Sequence, residues 1–95
     1  MTYHGENQVA PPKFDPKELT AAQLRAARQF MGWHATELAD KAGVGVATIR
    51  RTELCQGRTD MKPETAEKVV EAFEKHGLRF YAADRYGGPG LRLKR

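Results

Sequence analysis

Arg50, Arg51 and Arg58 stand close together in a stretch whose one acidic residue is Glu53, so residues 45–58 carry a net +2. A guanidinium is always charged and holds five N–H donors in a planar fork. That is chemistry for gripping a phosphate or a pair of acceptors on a flat edge, not for turnover. The usual groups for turnover do not assemble elsewhere. His4, His34 and His76 are scattered, and no Ser-His-Asp or Cys-His arrangement accompanies them. No loop has the pattern that cradles a nucleotide phosphate, and the single cysteine, Cys55, cannot complete a structural zinc set. Neither an enzyme nor a cofactor or metal is expected. Taken alone, two neighbouring arginines favour a blander role, that of solvating an exposed helix face. The elements that carry them decide the matter.

Four helices can be read from apolar spacing and end signals. Thr20 can cap the first with its hydroxyl while Gln23, three residues on, returns the bond. Leu24, Ala27 and Met31 then face inward, and Gly32 ends the helix. The second runs from about Ala35 to Ala42, with His34 a poor cap, Glu37 at the capping-box position, and Leu38, Ala39 and Ala42 inside. The third begins after Gly45 and reaches about Leu54. The fourth starts at Pro63, a residue suited to the first helical position. Ala66, Val69, Val70 and Phe73 recur along it at helical spacing, and Gly77 ends it. Glu64, Glu67, Lys68, Glu71, Glu74 and Lys75 give it a solvated face. Beyond Gly77 the period changes to two. Leu78, Phe80 and Ala82 alternate with Arg79 and Tyr81, and Leu91 and Leu93 with Arg92 and Lys94, which predicts a β-hairpin around a loop rich in glycine.

The second and third helices are joined by Gly43-Val44-Gly45. Ala39 is small enough for a close crossing, Gly43 can take positive φ, and Ile49 can anchor the third helix from beneath. Helix–turn–helix units have this build. Gly32-Trp33, Glu37-Leu38-Ala39, Ala42-Gly43-Val44 and Ala47-Thr48-Ile49-Arg50-Arg51 with Glu53 resemble the Cro/phage-repressor class of transcriptional regulators, the XRE family. The opening from Leu19 to Arg28 is also typical. The ending, Gly77-Leu78-Arg79-Phe80 and Gly88-Pro89-Gly90-Leu91-Arg92-Leu93, resembles many short bacterial members. The resemblance spans Leu19 to Arg95.

It implies a mainly α, four- or five-helix, repressor-like DNA-binding domain, here with a C-terminal β-hairpin. Such domains bind double-stranded operator DNA, usually as a homodimer on an inverted repeat. The third helix, about 46–54, would enter the major groove. Val46, Ala47, Arg50 and Arg51 would face base edges, with Thr48 in the same segment and Arg58 reaching phosphate from the following loop. The chemistry agrees, since arginine grips guanine O6 and N7 bidentately and Val46 or Ala47 can meet a thymine methyl. Val46 fits a core role as well. Glu53 is read as structural, pairing with an arginine across helices, and Trp33 as packing under the second helix. Three positions depart from the family pattern. His34-Ala35 stands where a Ser-Gln pair is common, Gly45 where a hydroxyl cap is usual, and Thr52 where an apolar residue is expected.

The whole chain is consistent with this reading without requiring it. Ninety-five residues suit one domain, and a net charge of +4 with pI near 9.5 favours an anionic partner. No apolar run approaches the ~20 residues of a membrane span, and Met1 to Lys13 lacks the apolar core of a secretory signal, so a cytoplasmic location is expected. Residues 1–17 read as a mobile arm in which Phe14 can dock on the body and Lys13 and Lys17 lend weak support to a minor-groove role. Residues 18–77 form the DNA-binding domain, and 78–95 the tail. The tail has two readings. Leu78, Phe80, Leu91 and Leu93 make an apolar face that a small helical core leaves uncovered, for a second copy to bury. Alternatively Arg79, Arg85, Arg92, Lys94 and Arg95 form a wing against phosphate. A different class of function also stands: an antitoxin whose main task is to bind a partner toxin through the arm or the hairpin.

Overall fold

The computed structural model describes residues 13–94. A 3-10 turn at Pro16–Glu18 leads into α1 (Ala21–Met31), α2 (Ala35–Ala42), α3 (Val46–Thr52), α4 (Pro63–Lys75), β1 (Leu78–Tyr81) and β2 (Gly90–Leu93). The described residues form a mainly helical domain of four α-helices with one antiparallel hairpin.

The helix ends follow from local chemistry. Thr20 Oγ1 accepts from the Gln23 N–H at 3.0 Å and Gln23 Oε1 accepts from the Thr20 N–H at 3.0 Å, closing the capping box that opens α1. Glu37 Oε1 accepts from the His34 N–H at 2.9 Å, so α2 is opened from its third residue rather than by its cap side chain. Gly43 ends α2 at φ 73°, a left-handed conformation that side chains disfavour, and its N–H donates to the Ala39 carbonyl. Pro63 opens α4.

One boundary differs from expectation. α3 stops at Thr52, not Leu54, and the chain tightens so that the Leu54 N–H donates to the Arg51 carbonyl and the Cys55 N–H to that of Thr52. Arg25 Nη1, from α1, donates to the Glu53 carbonyl just past the helix end.

The core gathers Leu19, Leu24, Ala27, Leu38, Ile49, Val69, Phe73, Leu78 and Phe80, all fully buried. An aromatic chain runs through it. Phe14 lies 5.5 Å from Phe80, Phe80 meets Phe73 edge-on at 5.6 Å, and Trp33 stacks on Phe73 at 5.0 Å. Trp33 thus packs on α4 at the rim, half-buried, with Lys41 Nζ 5.1 Å from its ring centre. Thr52 fills its apolar position because its hydroxyl donates back to the Thr48 carbonyl at 2.8 Å, leaving the methyl for the core.

From Phe14 onward the segment before α1 packs on the body, in keeping with the docking read for Phe14 in the sequence. Phe14 belongs to the core, and Asp15 Oδ1 accepts from the Lys17 N–H to cap the 3-10 turn. The rest of the arm, with its minor-groove role, lies outside the described residues.

The hairpin pairs Leu78 with Leu93 and Phe80 with Leu91. Its apolar face is not left for a second copy to the degree expected. Leu78 and Phe80 are buried against this chain's own α4 and Phe14, Leu91 is half-buried, and Leu93 alone of the four stays largely exposed, at 46 %. The helical body covers β1 because Phe14 extends it. Gln23 then ties the hairpin to α1, its amide Nε2 donating to the Tyr81 carbonyl at 2.8 Å and the Gly90 carbonyl at 2.9 Å.

That double use of one buried amide gives a test. Gln23→Glu keeps the acceptor that caps α1 but sets a carboxylate oxygen against two carbonyl oxygens. The expected loss is about 2–3 kcal/mol in urea unfolding at neutral pH. The loss should shrink on acidification, because the two carbonyls disfavour the anion and so raise the carboxyl's pKa in the folded state above its unfolded value, and once protonated the oxygen can donate again.

Candidate nucleic-acid interface

α3 is short, and at ~1.5 Å per residue it exposes little more than one edge. Its face is set by which residues the body claims. Ile49 and Thr52 are fully buried and turn one side of the helix to the core. Ala47, Arg50 and Arg51, spaced at three and four residues, therefore share the opposite side and are exposed. Val46 and Thr48 lie between, both half-buried, and Val46 packs against the core cluster. Of the six residues singled out in the sequence, three are brought together on the open face and two are partly withdrawn. Arg58 stands apart, exposed in the loop that follows α3.

The turn before α3 leaves its first backbone N–H groups uncovered by any side-chain cap, since Gly45 is the cap residue. Gly45 has φ −72°, and a Cβ there would meet nothing closer than Thr48 Oγ1 at 4.0 Å. Neither backbone strain nor space requires glycine at this position. Gly43, by contrast, is held to its type by its positive φ.

The far end of α3 is fixed by a bidentate ion pair. Arg28 Nε and Nη2 reach Glu53 Oε2 and Oε1 at 2.7 and 2.9 Å, and Arg28 Nη1 donates to the Trp33 carbonyl at 2.9 Å. The two side chains are 17 % and 10 % exposed. Hydrogen bonding to the Glu53 carboxylate raises the Arg28 pKa above its ordinary value, partial burial opposes the rise, and the attraction of the carboxylate's charge adds to it. Glu53 was legible as structural, and its partner is now placed on α1. One residue thus joins α1, the Trp33 turn and the end of α3.

The remaining cations of the interface differ in what holds them. Arg58 Nη2 donates to Glu18 Oε1 at 3.0 Å, beside a short backbone bridge in which the Ala21 N–H meets the Gly57 carbonyl and the Thr59 N–H the Leu19 carbonyl. Arg51 Nε lies 3.8 Å from Asp60 Oδ2. Arg50 meets no carboxylate among the described residues. Glu18 and Asp60 were not anticipated as neighbours of the site. Glu18 is forty residues from Arg58, so no spacing rule links the two.

No known family model matches the chain, and no curated protein matches it. Among the described residues no three His, Cys, Asp or Glu side chains are arranged to hold a metal, and no helix is long and apolar enough to cross a membrane.

Arg28→Ala leaves Glu53 as an uncompensated, nearly buried carboxylate. The expected cost is about 3 kcal/mol in chemical denaturation. Arg50→Ala, on the open face, should change stability by less than about 0.5 kcal/mol.

Proposed function

We propose that this protein is a sequence-specific DNA-binding transcriptional regulator that lays α3 in the major groove. The observation that carries the reading is the open face of α3. Ala47, Arg50 and Arg51 project together from a helix whose other side is sunk in the core and whose far end is clamped by Arg28 and Glu53. A groove about 12 Å wide admits one helix. An arginine on it can bind guanine O6 and N7, and Ala47 can meet a thymine methyl. Val46 and Thr48, partly withdrawn, would contribute at the edge of that surface, and Arg58 would meet the backbone. The fold is then the repressor-like one that the sequence resembles.

One helix this short reads only a few base pairs. Two copies, with their α3 helices one duplex turn or ~34 Å apart, would read an inverted repeat and gain the specificity that one copy lacks. A homodimer on its operator therefore belongs to the proposal. Leu93 and the basic side chains of the hairpin are open to serve it, either between copies or against the duplex.

Operator sequences selected from random duplex should bind far more tightly than bulk duplex, and affinity should fall steeply with salt as bound counterions are released. Equal affinity for both at physiological salt defeats the proposal. Sedimentation of the operator complex should show two chains per inverted repeat, and a single chain at saturation would remove the dimer.

Arg51→Ala should cost about 1–3 kcal/mol on the operator and relax preference at one base pair. Lys68→Ala, on the outer face of α4, should do little. Equal small effects in anisotropy titrations would place the reading face elsewhere.

A further inference from the structure

Asp60 lies in the loop between α3 and α4, two residues past Arg58, with its Oδ2 3.8 Å from Arg51 Nε. The two side chains are 60 % and 55 % exposed, Arg51 the more so. So exposed a pair adds little to folding, and at this separation no hydrogen bond locks it. Its consequence is directional. A guanidinium has two donor edges, one formed by Nε with an Nη and one by the two Nη atoms. A carboxylate beside Nε attracts the first edge and leaves the second free to point away.

We propose, granted the DNA-reading role above, that Asp60 is a positioning residue that favours base contact over phosphate contact by Arg51. On a random duplex Arg51 is drawn to the nearest phosphate. To engage it fully the arginine gives up Asp60, whose own charge the backbone repels. At a guanine the situation reverses. O6 and N7 are uncharged acceptors, the Nη edge meets both, and Asp60 stays beside Nε, where closing the remaining gap orients the fork. The carboxylate thus weighs against the sequence-independent complex and supports the specific one, a discrimination that works by repulsion as well as attraction.

Arg58 supplies the internal contrast. Glu18 accepts from its Nη2, and Arg58 stands off α3, where the role proposed above is phosphate contact alone. Releasing Arg58 should raise affinity for operator and random duplex alike, whereas releasing Arg51 should separate them.

The test uses the full chain with Asp60→Asn, Asp60→Glu and Glu18→Gln, titrated by anisotropy against a selected operator and a random duplex. Thermal melting of each variant confirms that the fold is kept, as expected for exposed side chains. Asp60→Asn should tighten random-duplex binding severalfold and lower the operator-to-random ratio roughly tenfold. Asp60→Glu, which retains the carboxylate, should keep most of the ratio, and Glu18→Gln should leave it within about twofold while both affinities rise. An unchanged ratio in Asp60→Asn, including one in which both affinities rise together, overturns the proposal, as does an equal loss in Asp60→Glu. A parent chain that does not distinguish the two duplexes defeats the functional reading itself. A parent chain that does, with a ratio that Asp60→Asn leaves intact, defeats this inference alone.

Discussion

The geometry of the open helix depends on the ion pair between Arg28 and Glu53. α3 is too short to hold itself together in water, since isolated helices need roughly twelve residues or more to persist. It lacks a side-chain cap at Gly45 and ends early at Thr52. Its direction therefore comes from outside. Ile49 and Thr52 sink one side into the core, and the bidentate grip on Glu53 sets the end. A pair that is largely withdrawn from water contributes less net stability than its distances suggest, because both charges lose hydration. What it supplies is a fixed register between α1 and α3, and through the Trp33 carbonyl between α1 and the turn that opens α2.

A second constraint acts at the opposite end of α1. The Gln23 side chain closes the capping box with one atom and holds the hairpin with the other. The two ends of α1 thus serve different neighbours, the first turn the sheet and the last turns the pair α2 and α3. Phe14, Phe73 and Phe80 bridge the same divide on the apolar side. A small domain buries a low fraction of its surface. Here the segment before α1 adds a ring to the core, and β1 is covered without a second copy, while β2 keeps Leu93 open.

Much of this was legible in the sequence, for identifiable reasons. The starts and ends of α1, α2 and α4 were written in short-range chemistry: Thr20 with Gln23, Gly32, Gly43, Pro63 and Gly77. Alternation announced the hairpin. Ile49 was legible as the inward anchor of α3, while the outward set that came with the resemblance included Val46, which packs partly against the core. The features that escaped are those in which distant residues meet. α3 ends at Thr52, where the chain tightens and Arg25 on α1 donates to the Glu53 carbonyl. The covering of Leu78 and Phe80 needed Phe14, which sits in a stretch whose prolines otherwise suggest disorder. Asp60 and Glu18 became neighbours of the site only once the chain was folded. Thr52 looked like a misfit by residue type and is not one, because its hydroxyl finds a partner inside its own helix.

The link from Gln23 to Tyr81 and Gly90 also bears on how the chain acquires its structure. It spans most of the sequence, as do the contacts of Phe14 with Phe80. Loops of that length close slowly and at an entropic cost that local helix formation does not repay. Helices α1 to α4 made in order during synthesis would hold an unfilled apolar surface around Phe73 until β1 arrives, and an unsatisfied Gln23 amide until β2 pairs with it. The last strand therefore acts as the closing step of a cooperative unit. A chain interrupted before Gly90 would be a target for proteolysis rather than a smaller working domain.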